Sequence, residues 1–220
     1  MPQGQDAANT PALAAMLAAS EVLDVDLRSL LELAWPPLSQ RHVICMAYCK
    51  AGVEHASSQR ILIEAGLHGT ALSLIRLHFE AVIRAAWVLH GAQDEWLVKF
   101  SSPVPPGSLT EPQMGPPIPA MLDAISLIAP DIASELRRLN ESVKVMHSFV
   151  HGGAHLVVHA LRGYPPENLI SVLQNRNLLL LMLSNVIGAA SQKHALRTAV
   201  SVLKDRHSAC MPPAGAARRG

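Results

Sequence analysis

Two groups of residues in this chain have the types and spacing that chemistry needs. Four histidines, His147, His151, His155 and His159, recur at every fourth position in HSFVHGGAHLVVH, and Arg76, Glu80 and Arg84 recur at the same step in SLIRLHFEAVIRAAW. On a helix the charged triplet shares a sector of roughly 80° with Ser73 and Trp87. The remainder of 70–90 is mostly Leu, Ile, Phe, Val and Ala. A helix that is apolar on almost every other face is normally buried, so its charged stripe needs a polar cleft or built-in partners. Two arginines with one glutamate leave a positive charge to be balanced by another acid, such as Glu141 or Glu167, or by an anionic ligand held bidentately. Such a cleft would be lined by Ser73, Arg76, Glu80 and His151, with Asn175 and Asn177 of a later helix as further ligand-binding candidates.

The histidine row is read against a core stripe of Ile132, Leu136, Leu139, Val143, Met146, Val150, Ala154, Val157 and Leu161. A four-residue step drifts about 40° per turn relative to a straight helix axis. His147 and His151 then lie on the inward border, while His155 and His159 rotate toward solvent unless Gly152-Gly153 bends the helix. Three roles compete for the inward pair: satisfied border histidines, general acid–base catalysis near neutral pH, or a shared metal ion. The metal role lacks further ligands, because Ser148, Phe149 and Val150 separate the pair and no Glu-x-x-His repeat occurs. His42, Cys45 and Cys49 share one helical face without the C-x2-C spacing of structural zinc sites, which makes the cysteines small buried apolar residues. No metal and no cofactor is expected. The paired glycines at 152 and 153 suit tight helix packing first and a ligand's close approach second.

The elements that must position these residues read as helices throughout. Pro11 opens a helix to about Leu33, with an interruption suspected near Ser20, and Trp35-Pro36-Pro37 stops it. Ser39 caps a second helix to about Glu64, and Thr70 is the N-cap candidate for the stripe-bearing helix that ends at Gly91. A short amphipathic piece covers 94–100. Seven prolines in 101–119 exclude helix or central strand there and make it a long crossover or a flap. Helices resume over 120–128, from Asp131 to about Arg162, then over 167–190 and 194–204. No sustained period-two alternation and no internal repeat is visible. The reading is an all-α protein: a single bundle of about six to eight helices over 11–206, with disordered ends at 1–10 and 207–220.

Composition narrows the function classes. Half the residues are apolar, 16% are charged and the formal net charge is +1, which argues against wrapping nucleic acid and leaves RNA only a local site. Three cysteines do not make a disulfide framework. The apolar run Leu178–Leu183 is far short of the ~20 residues of a membrane span. A soluble cytoplasmic protein without a membrane partner, self-associating as a homodimer, is the expectation.

The segments SLIRLHFEAVIRAAWVLHGA, SFVHGGAHLVVHALRGYP and NRNLLLLML, spread over 39–190, resemble an uncharacterised family of bacterial helical proteins. That family in turn resembles the AbiV-type and HEPN-like proteins of phage defence and toxin–antitoxin systems. The resemblance implies a metal-independent ribonuclease in which an arginine and a histidine a short gap apart act across a dimer. Arg84 and His90, with five residues between them, meet that spacing, but a straight helix sets them about 120° apart. The enzyme reading therefore assigns acid–base work to His147 or His151 and transition-state stabilisation to Arg76 or Arg84. The alternative is a non-catalytic module that binds an anion or a partner through the same stripe.

Overall fold

The computed structural model describes residues 10–34, 39–103, 107, 115–144 and 146–213. Within them lie α1 (Pro11–Leu31), α2 (Gln40–Glu64), α3 (His68–His90), α4 (Asp94–Phe100), α5 (Ile118–Ser126), α6 (Pro130–Lys144), α7 (His147–Val150), α8 (Ala154–Arg162), α9 (Pro166–Ala190) and α10 (His194–Arg206), followed by a 3-10 turn at Ser208–Cys210. There is no strand among the described residues, and the fold is an all-α bundle. The proposed stop at Trp35-Pro36-Pro37, most of the proline-rich 101–119 segment and both extreme termini lie outside the described residues.

Local signals set most helix ends. The Thr10 hydroxyl accepts the Leu13 amide ahead of Pro11, and the Ser39 hydroxyl accepts the His42 amide, so each satisfies one orphan N–H of a first turn. At the other end of α2 the amide of Leu67 returns to Leu62 and that of Gly66 to Ile63. This is the paired closure that requires a left-handed residue, and Gly66 supplies it at φ +75°. The turn is so short that α3 starts at His68, before the expected cap at Thr70, and folds back along α2 as an antiparallel hairpin. The helix also runs through Ser20 without the suspected interruption.

The helix expected from Asp131 to Arg162 is in fact three. α6 ends at Lys144, α7 is one turn long, and Gly152 at φ +67° reverses the chain before α8. A residue with a Cβ resists that left-handed conformation, which is the role of this glycine; no close helix packing surrounds it. The core stripe consequently survives only in its first half. Leu136, Leu139 and Val143 are buried, whereas Val157 and Leu161 are 52% and 82% exposed.

Helix α9 is the centre of the bundle, touching α1, α2, α3 and α10. Its apolar 18-residue window, of mean hydropathy 1.2, is long and apolar enough by composition to cross a membrane, yet 72% of it is buried within the fold. One buried charge interrupts the apolar part of this helix. Arg176 is fully buried, its Nη2 donates to Asp24 Oδ2 at 2.8 Å, its Nε donates to the Ala56 carbonyl at 2.9 Å, and its Nη1 donates to Asn177 Oδ1 at 2.9 Å. Arg60 Nε reaches the same Asp24 oxygen at 3.0 Å. The Asn177 amide in turn donates to Ser20 Oγ and to the Cys210 carbonyl, both at 2.9 Å. One network thus ties α1, α2, α9 and the segment after α10. That segment is ordered where a frayed tail is expected: His207 bonds Asp26 at 2.8 Å, and Cys210 and Met211 are buried.

Removing one member of a buried ion pair strands the other charge in a medium that does not solvate it. Arg176→Ala is expected to lower stability by about 3–5 kcal/mol, measured as a fall in the urea midpoint. The paired replacement Asp24→Leu with Arg176→Met should lose much less than the sum of the two single variants, since neither charge is then left alone.

Candidate functional site

The charged stripe of α3 is a ladder in which both arginines face Glu80. Arg76 Nε donates to Glu80 at 2.7 Å, and Arg84 Nη2 lies 3.6 Å from the other Glu80 oxygen. The three side chains retain 19%, 29% and 17% of their exposure, respectively for Arg76, Glu80 and Arg84. Glu141 pairs with Lys144 and Glu167 is exposed, so neither is an observed partner of the stripe. Arg84 sits close enough to Tyr48 for its charge to offset part of the rise that burial imposes on the Tyr48 phenol. Ser73 donates to the carbonyls of Gly69 and Phe149, both at 3.0 Å, and thereby docks α7 against the end of the stripe. Trp87 is buried, edge-on to Trp96.

The histidines do not complete a pocket with this stripe. α7 buries Phe149 and leaves its other face outside, so His147 and His151 are exposed, with ring centroids 4.2 Å apart. Their expected inward orientation fails because it assumed one helix continuous with α6, whereas α6 ends at Lys144 and α7 is a separate turn that buries Phe149. His155 is exposed, whereas His159 turns back, stacks on Tyr164 and contacts the Gly163 carbonyl at 3.1 Å. His90 is held by a different side of α3 from Arg84: burial, then the charge of Arg197 on α10, pushes its pKa down. The Arg84–His90 spacing therefore brings no joint site together.

Metal-type chemistry is also without a built site among the described residues, where no group of three or more His, Cys, Asp or Glu side chains is placed to hold an ion. The Cys45 thiol contacts the Ala85 carbonyl and Cys49 is buried beside it, while His42 is engaged with Ser39. The hydrogen bond with Cys45, then burial, raises the Cys49 thiol well above its ordinary range, which makes it unreactive.

A half-open, mostly apolar cavity lies elsewhere, between α1, α2 and α9. This cavity of about 580 Å³ is walled mainly by Leu27, Leu31, Met46, Cys49, Val53 and Leu180. Arg28, Glu32 and Lys50 belong to its exposed margin, and Asp24, 8% exposed, is its buried acidic member. Asn177, expected as a ligand-binding residue, instead bonds Ser20 and Cys210 within the network beside this cavity, and Asn175 is half-buried. Asp24, Arg60 and Arg176 were not singled out from the sequence. The available signal was one arginine set in a long apolar helix.

His78 is a second buried polar group near this network. It is fully buried on α3, and neither ring nitrogen has a hydrogen-bond partner. Burial first, then the charges of Arg176 and His55, hold its pKa well below the usual histidine range. The ring is thus neutral in the folded protein.

A family model described as a family of unknown function (DUF6988) matches residues 49–213, from the middle of α2 through the segment after α10. Arg60 and Arg176 fall inside the match, and Asp24 on α1 precedes it. No curated protein and no solved structure matches the chain.

The buried His78 fixes the sign of a pH effect. The unfolded chain takes up a proton there below about pH 6.5, whereas the folded chain resists it until a lower pH. Stability is therefore fully present above that value and falls as the pH drops toward the lowered folded pKa. In urea titrations between about pH 7 and pH 5, His78→Leu should show a flatter loss of unfolding free energy than the wild type. Burial lowers His55, His68 and His90 in the same direction, so a shallower residual slope should persist.

Proposed function

The chain belongs to the DUF6988 family of unknown function, and on its geometry we propose a non-catalytic helical module that binds an apolar small molecule between α1, α2 and α9. The observation that carries this reading is the cavity of about 580 Å³ beside a buried ion-pair network. Ligand sites are typically concave, largely apolar and supplied with a few placed polar groups. This one has aliphatic and sulfur-bearing walls, a buried acidic side chain and a charged margin. The walls come from three helices held in register by Arg176, Asp24 and Arg60, which favours a preformed site.

The metal-independent ribonuclease of a HEPN-like defence or toxin protein has less support. Such an enzyme would draw on His147, His151, Arg76 and Arg84, but the two histidines are exposed and both arginines are engaged with Glu80. An anion-binding role for the stripe meets the same objection, since Glu80 already occupies the position an anion would take. The proposed module functions either as a monomer or as the homodimer suggested by the sequence, because one chain supplies all the cavity walls.

The test uses N-phenyl-1-naphthylamine, a neutral probe whose fluorescence rises in apolar surroundings. Saturable enhancement at one probe per chain is expected. Val53→Trp, which fills the cavity wall, should weaken binding at least about ten-fold, a loss of roughly 1.4 kcal/mol, while retaining helical circular dichroism. Absence of saturable binding, or unchanged binding in a folded Val53→Trp protein, would contradict the proposal.

A further inference from the structure

The pair His147 and His151 has no part in the cavity between α1, α2 and α9, which no residue of 147–151 lines. Both side chains are exposed, their ring centroids stand 4.2 Å apart, and the ring planes are inclined by 53°. Neither imidazole is engaged in a hydrogen bond or ion pair among the described residues. Two imidazoles that share one ion through nitrogens at about 2.0–2.1 Å hold their ring centres roughly 4.5–5 Å apart. A small outward rotation of either side chain reaches that spacing, and both rings face solvent, where such a rotation is free. From this geometry we propose that His147 and His151 form an open two-imidazole chelate for a first-row divalent transition-metal ion, the class that contains nickel, copper and zinc.

The backbone beneath the pair is fixed by the fold. A single helical turn has no stability of its own, and three sets of contacts supply it here. The His151 amide donates to the His147 carbonyl at 3.2 Å, which closes one turn between the two ring-bearing positions. On the other face Phe149 is buried, and its carbonyl accepts the Ser73 hydroxyl at 3.0 Å. Ser148 ties the turn to α8: its carbonyl accepts the Gly153 amide at 2.7 Å and its hydroxyl accepts the His155 amide at 3.1 Å. Both histidines are thus held one turn apart before an ion arrives, so the second imidazole acts at high local concentration once the first has bound. Neutral imidazole suits ions of this class, whereas Mg²⁺ and Ca²⁺ take oxygen ligands. No third His, Cys, Asp or Glu joins the pair among the described residues. Two protein ligands do not close a coordination sphere, so the ion keeps positions for water or for a donor from another molecule.

Calorimetric titration of the full chain, without a polyhistidine tag, tests the pair with NiCl₂ in a non-coordinating buffer near neutral pH. One ion per chain is expected. His147→Ala or His151→Ala should each weaken binding at least about ten-fold, and the double variant should lose little more, because a chelate fails when one arm is removed. His155→Ala, which removes an exposed histidine outside the pair, should bind as the wild type does. All four variants change exposed side chains and should retain helical circular dichroism. Absence of saturable Ni²⁺ binding to the wild type, or a loss confined to one of the two single variants, would overturn the proposal. Two ions per wild-type chain and one in each single variant would mean two separate imidazoles and would overturn it as well. A loss in His155→Ala as large as in the other single variants would overturn the two-residue assignment.

Discussion

Arg176 places a guanidinium inside the apolar centre of α9, and the packing of its neighbours is constrained by the need to pair it. Water does not reach this position, so the charge takes its partners from α1, α2 and the adjoining residue of α9: Asp24, the Ala56 carbonyl and Asn177. A buried ion pair contributes little net stability compared with well-packed apolar residues, but losing one half is strongly destabilising. The pair is therefore best understood as a device of specificity. It fixes the position of α1 along α2 and α9, and the Asn177 amide extends the same constraint to Ser20 and the Cys210 carbonyl.

Holding α1 by a polar network also explains where space remains. α1 and α2 share few direct contacts, and the cavity opens between them, with Leu180 of α9 in its wall. By contrast, the charged stripe of α3 makes its ion pairs within one helix. Arg76 and Arg84 converge on Glu80, Ser73 bonds the Phe149 carbonyl, and Trp87 packs on Trp96. The more conspicuous charges lie along α3; the less conspicuous pair sits beside the cavity between α1, α2 and α9.

Much of the helical framework was legible in the sequence because it depends on short-range signals. Ser39 caps α2 as its hydroxyl suggests, α4 occupies Asp94–Phe100, and Pro165-Pro166 opens the long apolar α9. The α6–α8 region was misread because the 3.6-residue periodicity continues across a break. The pattern Val143, Met146, Val150, Ala154 persists on paper, but Gly152 adopts a left-handed conformation and redirects everything after it. The site was less legible for a different reason. Asp24 and Arg176 are 152 positions apart, and each alone resembles an ordinary polar residue among helical neighbours. An arginine flanked by Leu173 and Leu178–Leu183 was the clue, yet its partner follows only from how α1 folds onto α9.

The most direct measurement is amide and arginine side-chain NMR of the isotopically labelled protein during an N-phenyl-1-naphthylamine titration. The account predicts a side-chain Nε–Hε signal of Arg176 that is protected from exchange in the free protein, as expected for a buried donor bonded to the Ala56 carbonyl. It predicts that this signal and the amides of Leu27, Cys49, Val53 and Leu180 shift together and saturate together. Shifts centred instead on Arg76, Glu80 and Arg84 or on His147 and His151, with Arg176 and the cavity walls unmoved, would contradict it.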